Sequence, residues 1–398
     1  MNGTENVPIV VAGAGIAGIS AAEAARARSP GTPVVLLSGE PDLPYYRLRL
    51  LELLDGAADP ASLRIHPHEW YARQGIDLRL SSPVASVDPE AHRVVLATGE
   101  SLPYSALVLA SGSLGIVPPV EGAALPGVIP LWTLADARAL RAAVPSARRA
   151  VVAGGGLLGL EGAYRLSLLG LEVTIVEMLP RLLPNQLDAD GSRVFEAKVR
   201  SLGIGVRTGA PIARLDGTGR VRSATLRSGE VLDAGLVLVA TGVRPNLGLL
   251  DGSGIPVGRR IAVDASMRTG ATDVFAAGDA AEVDGRWDGL WTAAKAQGRV
   301  AGMNAAGGSE RVAPTVDPYF LSTMDTRVVS IGALDGEGPL GSAIRRDDAN
   351  HVYRKLAFRG GRLAGAVLVG DADGMARVVA AVKAAVTREE ALSSGLLG

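Results

Sequence analysis

Two stretches of the chain repeat one order of apolar strand, glycine turn and helix. In the first, the apolar run PIVVA at residues 8–12 leads into GAGIAG and an alanine-rich segment that predicts a helix over residues 17–28. In the second, RAVVA at residues 149–153 leads into GGGLLG and a helix predicted over residues 160–169. Short unbroken apolar runs followed by helices are typical of parallel strands that are buried on both faces. The pattern therefore predicts an α/β fold with a repeated unit.

Each turn carries glycines in the G-x-G-x-x-G spacing that is typical of dinucleotide binding. The first glycine permits a tight turn, the second lets the backbone approach a pyrophosphate, and the third lets helix and strand pack closely. The pyrophosphate would lie at the helix N-terminus, where free N–H groups and the helix dipole favour an anion. The glycines are Gly13, Gly15 and Gly18 in the first turn and Gly154, Gly156 and Gly159 in the second.

An acidic residue closes each unit near the end of its second strand. Glu40 follows the strand predicted over residues 34–37, and Glu177 follows the strand predicted over residues 173–176. A carboxylate at this place accepts hydrogen bonds from a ribose diol and repels a 2′-phosphate, so Glu177 favours NADH over NADPH. Arg181 stands close by in the sequence and could serve a 2′-phosphate, which leaves NADPH open.

Other segments offer further candidate sites. Residues 41–54 (PDLPYYRLRLLELL) predict either an amphipathic surface helix or a segment along the far end of a long cofactor. Residues 76–110 predict β-hairpins that return to a strand. Asp279 ends the apolar run DVFAA in an Ala-Gly-Asp turn, at the strand edge where α/β sheets bind ligands. A helix predicted over residues 292–306 follows, and its N-terminus would stabilise negative charge.

Residues 313–398 differ in character from the rest of the chain. They contain valine-rich strands and a last helix predicted over residues 375–387, with no nucleotide-binding signature. We expect a separate α+β module that serves packing, dimerisation or a partner, so a homodimer is one assembly left open. Its basic pairs, Arg345-Arg346 and Arg354-Lys355, predict a solvated strand surface rather than a docking patch.

Charge and apolar patterning exclude several classes of protein. The formal net charge of −1 gives no electrostatic reason to expect binding to nucleic acid or to an anionic membrane. No apolar run reaches the roughly 18–20 residues that span a membrane. The N-terminal sequence MNGTENVPIV lacks the basic region and apolar core of a signal peptide. We therefore expect a cytoplasmic protein.

The chain has no cysteine, and this excludes a disulfide, a C-x-x-C redox pair and a thiolate nucleophile. The pair His66 and His68 is the nearest approach to a metal-binding motif. We predict these histidines to be solvent-facing or capping residues, and we expect no metal.

Together, these motifs resemble the two-dinucleotide flavoproteins of the pyridine nucleotide–disulfide reductase fold, over almost the whole chain. The sequence is most similar to NADH-dependent rubredoxin and ferredoxin reductases and to the flavin portion of NADH nitrite reductases. The resemblance rests on GAGIAG with Glu40, PYYRLRL, LVLASGS, GGGLLGLE with Glu177, LVLVATGVRPN, VFAAGDAAE and LW…AQGRVAG. It implies FAD and NAD as cofactors and two Rossmann-like dinucleotide-binding domains plus a C-terminal interface domain. The implied limits are 1–117 and 241–312 for the FAD-binding domain, 118–240 for the NAD-binding domain and 313–398 for the interface domain.

The resemblance also implies roles for individual residues. Arg47 would lie near the isoalloxazine, Asp279 would bond the ribityl chain, and the helix after Trp291 would face the pyrimidine edge. Glu161 would lie near the junction of flavin and nicotinamide. The full set of implied cofactor-binding residues is Gly13, Gly15, Ala17, Gly18, Glu40, Arg47, Ser111, Gly112, Gly154, Gly156, Leu158, Gly159, Glu177, Gly242, Gly278, Asp279, Trp291 and Thr292.

The chain departs from this family at one candidate catalytic position. Many ferredoxin reductases have Leu-Ser-Lys where this chain has Leu50-Leu51-Glu52, so Glu161 lacks a lysine partner. Glu52 is either a second carboxylate near Glu161, which would raise one pKa, or a solvent-facing residue. We name Glu161 and Glu52 as the candidate catalytic residues.

The function implied by the resemblance is an oxidoreductase. It would pass a hydride from NADH to FAD and then electrons to an external acceptor, namely a small carrier of the rubredoxin or ferredoxin type. The cofactors carry the difficult chemistry, and the protein supplies binding and orientation. Two alternatives stay open. One is an NADH oxidase that reduces oxygen or small acceptors without cysteine, and the other is a nucleotide-responsive flavoprotein scaffold.

Overall fold

The computed structural model describes residues 7–313, 316–334 and 341–398. Residues 1–6, which begin the stretch compared with signal peptides, lie outside these ranges. The helices are α1 (Ile16–Arg28), α2 (His68–Arg73), α3 (Leu134–Ala143), α4 (Leu157–Leu168), α5 (Ala189–Ser201), α6 (Trp291–Ala305), α7 (Met375–Lys383) and α8 (Arg388–Ser393). The strands are β1 (Ile9–Ala12), β2 (Val34–Leu37), β3 (Ile76–Arg79), β4 (Val84–Asp88), β5 (Arg93–Leu96), β6 (Ser101–Pro103), β7 (Ala106–Leu109), β8 (Ser113–Gly115), β9 (Val128–Pro130), β10 (Arg149–Ala153), β11 (Glu172–Val176), β12 (Gly205–Arg207), β13 (Ile212–Asp216), β14 (Ser223–Leu226), β15 (Val231–Asp233), β16 (Leu236–Val239), β17 (Val243–Pro245), β18 (Ile261–Val263), β19 (Val274–Ala276), β20 (Ala281–Val283), β21 (Tyr319–Thr323), β22 (Thr326–Gly332), β23 (Ser342–Asp347), β24 (Val352–Arg359) and β25 (Arg362–Gly370).

The chain divides into two compact units, each made of separate stretches of sequence. The first unit comprises Met1–Arg49, Asp59–Leu114 and Val243–Thr315. The second unit comprises Leu50–Ala58, Gly115–Gly242 and Val316–Gly398. Each unit is described below by itself.

The first unit contains a five-stranded parallel sheet in the order β19-β7-β1-β2-β3. All four residues of β1 are buried, and Ile9 pairs with Val34 on one side and Ala106 on the other. Because the strands are parallel, the carboxyl ends of β1, β7 and β19 lie at one edge of the sheet, where ligands bind in such folds.

One strand of this sheet was predicted wrongly. β3 was expected to belong to a β-hairpin, but it pairs in parallel with β2 at the edge of the sheet. Its alternating sequence, IDLR, suits an edge strand because only its first residue is buried. The antiparallel pairing predicted for this region is confined to β4, β5 and β6.

Helices α1 and α6 of the first unit touch through their backbones. A side chain at Gly298 would come within 2.1 Å of the carbonyl oxygen of Ala17, and one at Gly302 within 2.0 Å of that of Ala21. The small residues on both helices therefore permit a close approach that larger side chains would prevent. This packing fixes α6 beside the helix that follows the first glycine turn.

The second unit repeats the arrangement of the first with its own parallel sheet, in the order β12-β11-β10-β16-β9. The central strand β10 pairs with β11 and β16, and its residue Ala150 lies opposite Val173 and Leu236. Strands β13, β14 and β15 form a separate antiparallel sheet. The α/β class with a repeated unit is therefore confirmed.

The C-terminal part of the second unit is an antiparallel sheet in the order β21-β22-β25-β24-β23, with α7 and α8 packed against a core that includes Leu356 and Phe358. The prediction of one last helix over residues 375–387 is wrong, because α7 ends at Lys383. Thr387 instead begins α8 in a capping box with Glu390, and the T-x-x-E spacing in the sequence is the signal for that cap.

The basic pairs of this module are not a uniformly solvated strand surface. Arg354 is buried, and Lys355 forms an ion pair of 2.8 Å with Asp188. Within the described ranges, no helix is long and apolar enough to cross a membrane. The same ranges contain no group of three or more histidine, aspartate or glutamate side chains placed to hold a metal ion.

Candidate dinucleotide-binding sites

The first glycine turn joins β1 to α1, and its glycines are required by close backbone contacts. Gly13 has a φ of +113°, and a side chain at Gly18 would come within 1.8 Å of the Gly13 carbonyl oxygen. Gly15 differs from both, because a side chain there would meet no atom within 4 Å. Gly15 is also the N-cap of α1, which has no side-chain cap and no acidic residue in its first turn. The free N–H groups of the turn therefore face open space, and this arrangement suits a pyrophosphate.

The second glycine turn, between β10 and α4, has the same features. Gly154 has a φ of +117°, and a side chain at Gly159 would come within 2.1 Å of the Gly154 carbonyl oxygen. Gly156 faces open space and is the N-cap of α4, again without a side-chain cap or an acidic residue in the first turn. By contrast, the side chains of the N-cap residues Thr133 and Asp188 cap α3 and α5. Both turns fit the pyrophosphate of a dinucleotide.

Glu40 lies in a small network within the first unit. Its carboxylate accepts hydrogen bonds from the Tyr45 hydroxyl at 2.6 Å and from Arg47 Nη2 at 2.7 Å. The Glu40 and Arg47 side chains are each 31% exposed, so the pair is accessible from solvent. The sequence placed Glu40 at a ribose and Arg47 at the isoalloxazine, which are opposite ends of FAD. Because the two side chains touch, we propose that Arg47 lies at the same end of FAD as Glu40.

Glu177 is held differently, by the backbone of the second unit. Glu177 is 7% exposed, and its carboxylate oxygens accept hydrogen bonds from the N–H groups of Gly155 and Leu179, both at 2.7 Å. A buried carboxylate beside the turn would repel a second negative group such as a 2′-phosphate. Arg181, which could have served a 2′-phosphate, donates to the carbonyls of Pro184 and Leu187 at 3.0 and 3.2 Å. The geometry therefore favours a free ribose hydroxyl.

Asp279 lies in the turn after β19, at the same sheet edge as the first glycine turn. Its Oδ2 accepts a hydrogen bond of 2.6 Å from the Ser113 hydroxyl. The preceding residue, Gly278, donates its buried N–H to Gln297 of α6 at 2.9 Å. Gly278 also lies against α1, because a side chain there would come within 2.9 Å of the Ala17 Cβ. Ser113 thus orients the Asp279 carboxylate, while α6 and α1 hold the residue before it.

The other predicted cofactor-binding residues lie around the two turns. In the first unit, the Ser111 hydroxyl donates to the Asn246 carbonyl at 2.7 Å, and Gly112 has a φ of +67°. The Trp291 ring lies 6.1 Å from that of Tyr46, and Thr292 is exposed. In the second unit, Leu158 is half-buried in the first turn of α4 and Gly242 has a φ of +103°.

Glu161, on α4, belongs to a charged cluster of the second unit. Arg165, one turn further along the helix, lies 3.4 Å from Glu161 and 2.6 Å from Asp55. Burial raises the pKa of Glu161, Arg165 opposes that rise, and the charges of Glu52 and Asp55 add to it. Glu52 is therefore near enough to act on Glu161 electrostatically, although burial is the larger cause. Arg165 is therefore the cationic partner of Glu161, which has no lysine partner in this sequence.

Sequence reasoning missed several residues of these sites. The i,i+4 spacing of Glu161 and Arg165 was a usable signal. Ser113 and Gln297 carry no comparable signal, because their partners are distant in the sequence, whereas Tyr45 lies only five residues from its partner Glu40. His66 was expected to be solvent-facing or capping. It instead stacks on Trp70 with a 3.6 Å ring separation and pairs with Glu23 at 2.9 Å.

Comparison with known proteins agrees with this geometry. The profile of the family described as pyridine nucleotide-disulphide oxidoreductase matches residues 7–298, and that of the rubredoxin NAD+ reductase C-terminal domain matches residues 319–386. The chain is 31% identical to the nitrite reductase [NAD(P)H] of Bacillus subtilis, over 91% of this chain and 45% of that protein. It is 29% identical to the NADH-rubredoxin oxidoreductase of Clostridium acetobutylicum, over 92% of each. The crystal structure of the ferredoxin reductase for the CYP199A2 system from Rhodopseudomonas palustris has a TM-score of 0.88 and 28% identity, and the match covers 96% of both chains.

The two uncapped glycine turns and these matches define a protein with two dinucleotide sites, of the class that binds FAD and NAD(H). The chain belongs to the pyridine nucleotide-disulphide oxidoreductase family. It spans less than half of the first relative, the nitrite reductase, and nearly all of the rubredoxin oxidoreductase.

Proposed function

We propose that this protein oxidises NADH and delivers the electrons to a small iron–sulfur or rubredoxin-type carrier. The observation that carries the proposal is the pair of matched glycine turns, each with an open position at an uncapped helix N-terminus, Gly15 and Gly156. A protein with two such turns can hold two dinucleotides at once. When bound, NADH supplies a hydride and FAD accepts it and releases electrons singly.

The two turns receive different cofactors in this proposal. The first turn would hold FAD, with Glu40 and Arg47 at a ribose and Asp279 at the ribityl chain. The second turn would hold NADH, because Glu177 is a buried carboxylate that would repel a 2′-phosphate. We also propose the domain limits. The FAD-binding domain would comprise residues 1–117 and 241–312, the NAD-binding domain residues 118–240, and the interface domain residues 313–398.

Glu161, Glu52 and Arg165 would form the charged surroundings of the reaction site. Burial keeps the proton of Glu161 bound to a higher pH than is usual for a glutamate. Arg165 orients the Glu161 carboxylate and joins it to Asp55. The residues thus hold and place charge, while the cofactors carry the reaction.

The proposal for the electron acceptor rests on the C-terminal module. The match to the rubredoxin NAD+ reductase C-terminal domain and the similarity to the Clostridium NADH-rubredoxin oxidoreductase favour a small redox protein as partner. We also propose that the protein works in the cytoplasm, where NADH is produced. Assembly as a homodimer stays a prediction.

An anaerobic stopped-flow experiment tests this function. The FAD-loaded protein is mixed with NADH or NADPH, and the flavin absorbance is followed in the presence of a rubredoxin or a [2Fe–2S] ferredoxin. We expect NADH to bleach the flavin much faster than NADPH and the carrier to be reduced in turn.

Two results would contradict the proposal. Oxygen uptake that exceeds the reduction of every carrier would indicate an NADH oxidase, a name borne by a Methanocaldococcus jannaschii relative of 30% identity. A change in assembly on adding NADH, without turnover, would indicate a nucleotide-responsive scaffold.

A further inference from the structure

Arg260 is a buried cation behind the turn that carries Asp279. The residue is 7% exposed and stands directly before β18, which pairs in parallel with β20, the strand that follows the turn. Its Nη1 donates a hydrogen bond to the main-chain carbonyl of Asp279. A buried guanidinium is costly unless it has partners, so its position behind this turn requires a compensating arrangement.

The compensation comes partly from Trp287. The guanidinium carbon of Arg260 lies 3.6 Å from the centre of the Trp287 ring, within the range of a cation–π contact. Gly289 lies against the same ring, since a side chain there would come within 2.9 Å of it. Arg260 therefore connects the Asp279 turn to the loop that leads into α6.

The charges around Arg260 also point to Asp279. Desolvation lowers the pKa of Arg260, whereas the carboxylates of Asp279 and Glu282 raise it. An arginine remains protonated throughout the physiological range, so Arg260 offsets part of the negative charge of Asp279. On its other side, the Asp279 carboxylate accepts the Ser113 hydroxyl. Arg260 thus supports the main chain of Asp279, and Ser113 supports its carboxylate.

We propose that Arg260 is a positioning residue of the FAD site. It fixes the main chain at Asp279 and balances the charge of that carboxylate, so that Asp279 is held ready to accept hydrogen bonds from the ribityl hydroxyls. The inference rests on the proposed function in one respect, the contact between Asp279 and FAD. Neither Arg260 nor Trp287 lies in any motif of the sequence.

The test compares Arg260→Gln with Arg268→Gln in FAD titrations of the apoprotein. Arg268 is a matched control, because it also stacks on an aromatic ring of the first unit, that of Phe275 at 4.8 Å. We expect Arg260→Gln to raise the Kd for FAD about tenfold or more, as is usual when a charged hydrogen bond is lost, and Arg268→Gln to change it less than twofold. Arg260→Lys, which keeps the charge, should recover part of the affinity. Binding of FAD by Arg260→Gln with the affinity of the wild type would overturn the inference.

A second readout separates positioning from a merely structural role. Removal of a cation near Asp279 should move the flavin reduction potential of Arg260→Gln to a more negative value, while Trp287→Leu, which keeps the cation, should leave it nearly unchanged. Equal potentials in wild type and Arg260→Gln would count against the inference. Should Arg260→Gln not fold, Arg260→Lys and Trp287→Leu still decide it, because unaltered FAD affinity in both would contradict the role.

Asp279→Asn distinguishes a failure of the inference from a failure of the proposed site. If Asp279→Asn weakens FAD binding and Arg260→Gln does not, only the positioning role is overturned. If Asp279→Asn binds FAD as tightly as the wild type, the assignment of Asp279 to the cofactor fails, and the inference fails with it.

Discussion

The two glycine turns have the same backbone but different acidic partners. In the second turn, the side chain of Glu177 folds back onto the turn, where Gly155 donates its N–H to the carboxylate. A side chain at Gly155 would come within 3.1 Å of the Glu177 Cβ and 2.6 Å of Leu182. This crowding explains why the second turn also has a glycine between Gly154 and Gly156. The first turn has Ala14 at the equivalent place, and Glu40 reaches instead to Tyr45 and Arg47.

This difference suits the two motifs to two different ligands. A carboxylate held by backbone N–H groups, as in Glu177, has a fixed direction and little freedom to accommodate a bulkier nucleotide. A half-exposed carboxylate paired with side chains, as in Glu40, can exchange those partners for a ribose. We therefore expect the second turn to be the more selective of the two, and the surroundings of the first turn to rearrange when a cofactor binds.

The largest expected effect comes from the closest backbone contacts. Gly18→Ala and Gly159→Ala would place Cβ atoms 1.8 and 2.1 Å from the carbonyls of Gly13 and Gly154. We expect each to lower the free energy of unfolding by roughly 3 kcal/mol, because helix and strand have to separate. Gly18→Ala should lose FAD, whereas Gly159→Ala should keep it. Urea unfolding and flavin absorbance of the purified variants check both points, and loss of FAD from Gly159→Ala would argue against separate sites.

A smaller difference is expected between Glu177→Gln and Glu40→Gln. An amide has one acceptor oxygen, so Glu177→Gln would leave the N–H of Gly155 or Leu179 without its partner, at a cost of about 1–3 kcal/mol. Glu40→Gln removes a solvent-accessible ion pair with Arg47, which contributes up to about 1 kcal/mol. Urea unfolding of the two variants should rank them in this order. Equal destabilisation would contradict the contrast drawn between the two carboxylates.

The smallest expected effect on stability comes from a position where the two helices differ. Two residues after the last glycine of each motif, α1 has Ser20 and α4 has Glu161. Burial raises the pKa of Glu161, so the folded protein binds this proton more tightly than the unfolded chain does. The resulting stability is complete below the pKa of an unfolded glutamate, about 4.3, and is lost as the pH rises through the higher folded pKa. Glu161→Gln should therefore be slightly more stable than the wild type at pH 7, with an advantage that shrinks towards pH 4. A pH-independent difference in thermal unfolding would be the contrary result.

The sequence was informative where structure depends on local spacing. The glycine turns and the strands β2 and β10 follow from patterns within a few residues, and β2 and β10 have the predicted limits. The Ser113–Asp279 bond and the position of Arg260 depend on contacts between segments that are distant in the sequence, whereas Arg47 lies only seven residues from Glu40. No periodicity encodes such contacts. The misplacement of β3 has the same origin, because an alternating strand fits a hairpin and a sheet edge equally well.

Two matched variants, Gly15→Asp and Gly156→Asp, test whether the first turn holds FAD and the second holds NADH. Both glycines face open space, with φ values of −72° and −86° that any residue adopts, and aspartate is a favoured N-cap. The folds should therefore persist while a negative charge occupies the phosphate position. The quantities to measure in both variants are the amount of bound FAD and the rate of flavin bleaching by NADH. We predict that Gly15→Asp folds without FAD, and that Gly156→Asp keeps FAD but is bleached by NADH at least tenfold more slowly. Retention of FAD by Gly15→Asp, or its loss from a folded Gly156→Asp, would contradict the account.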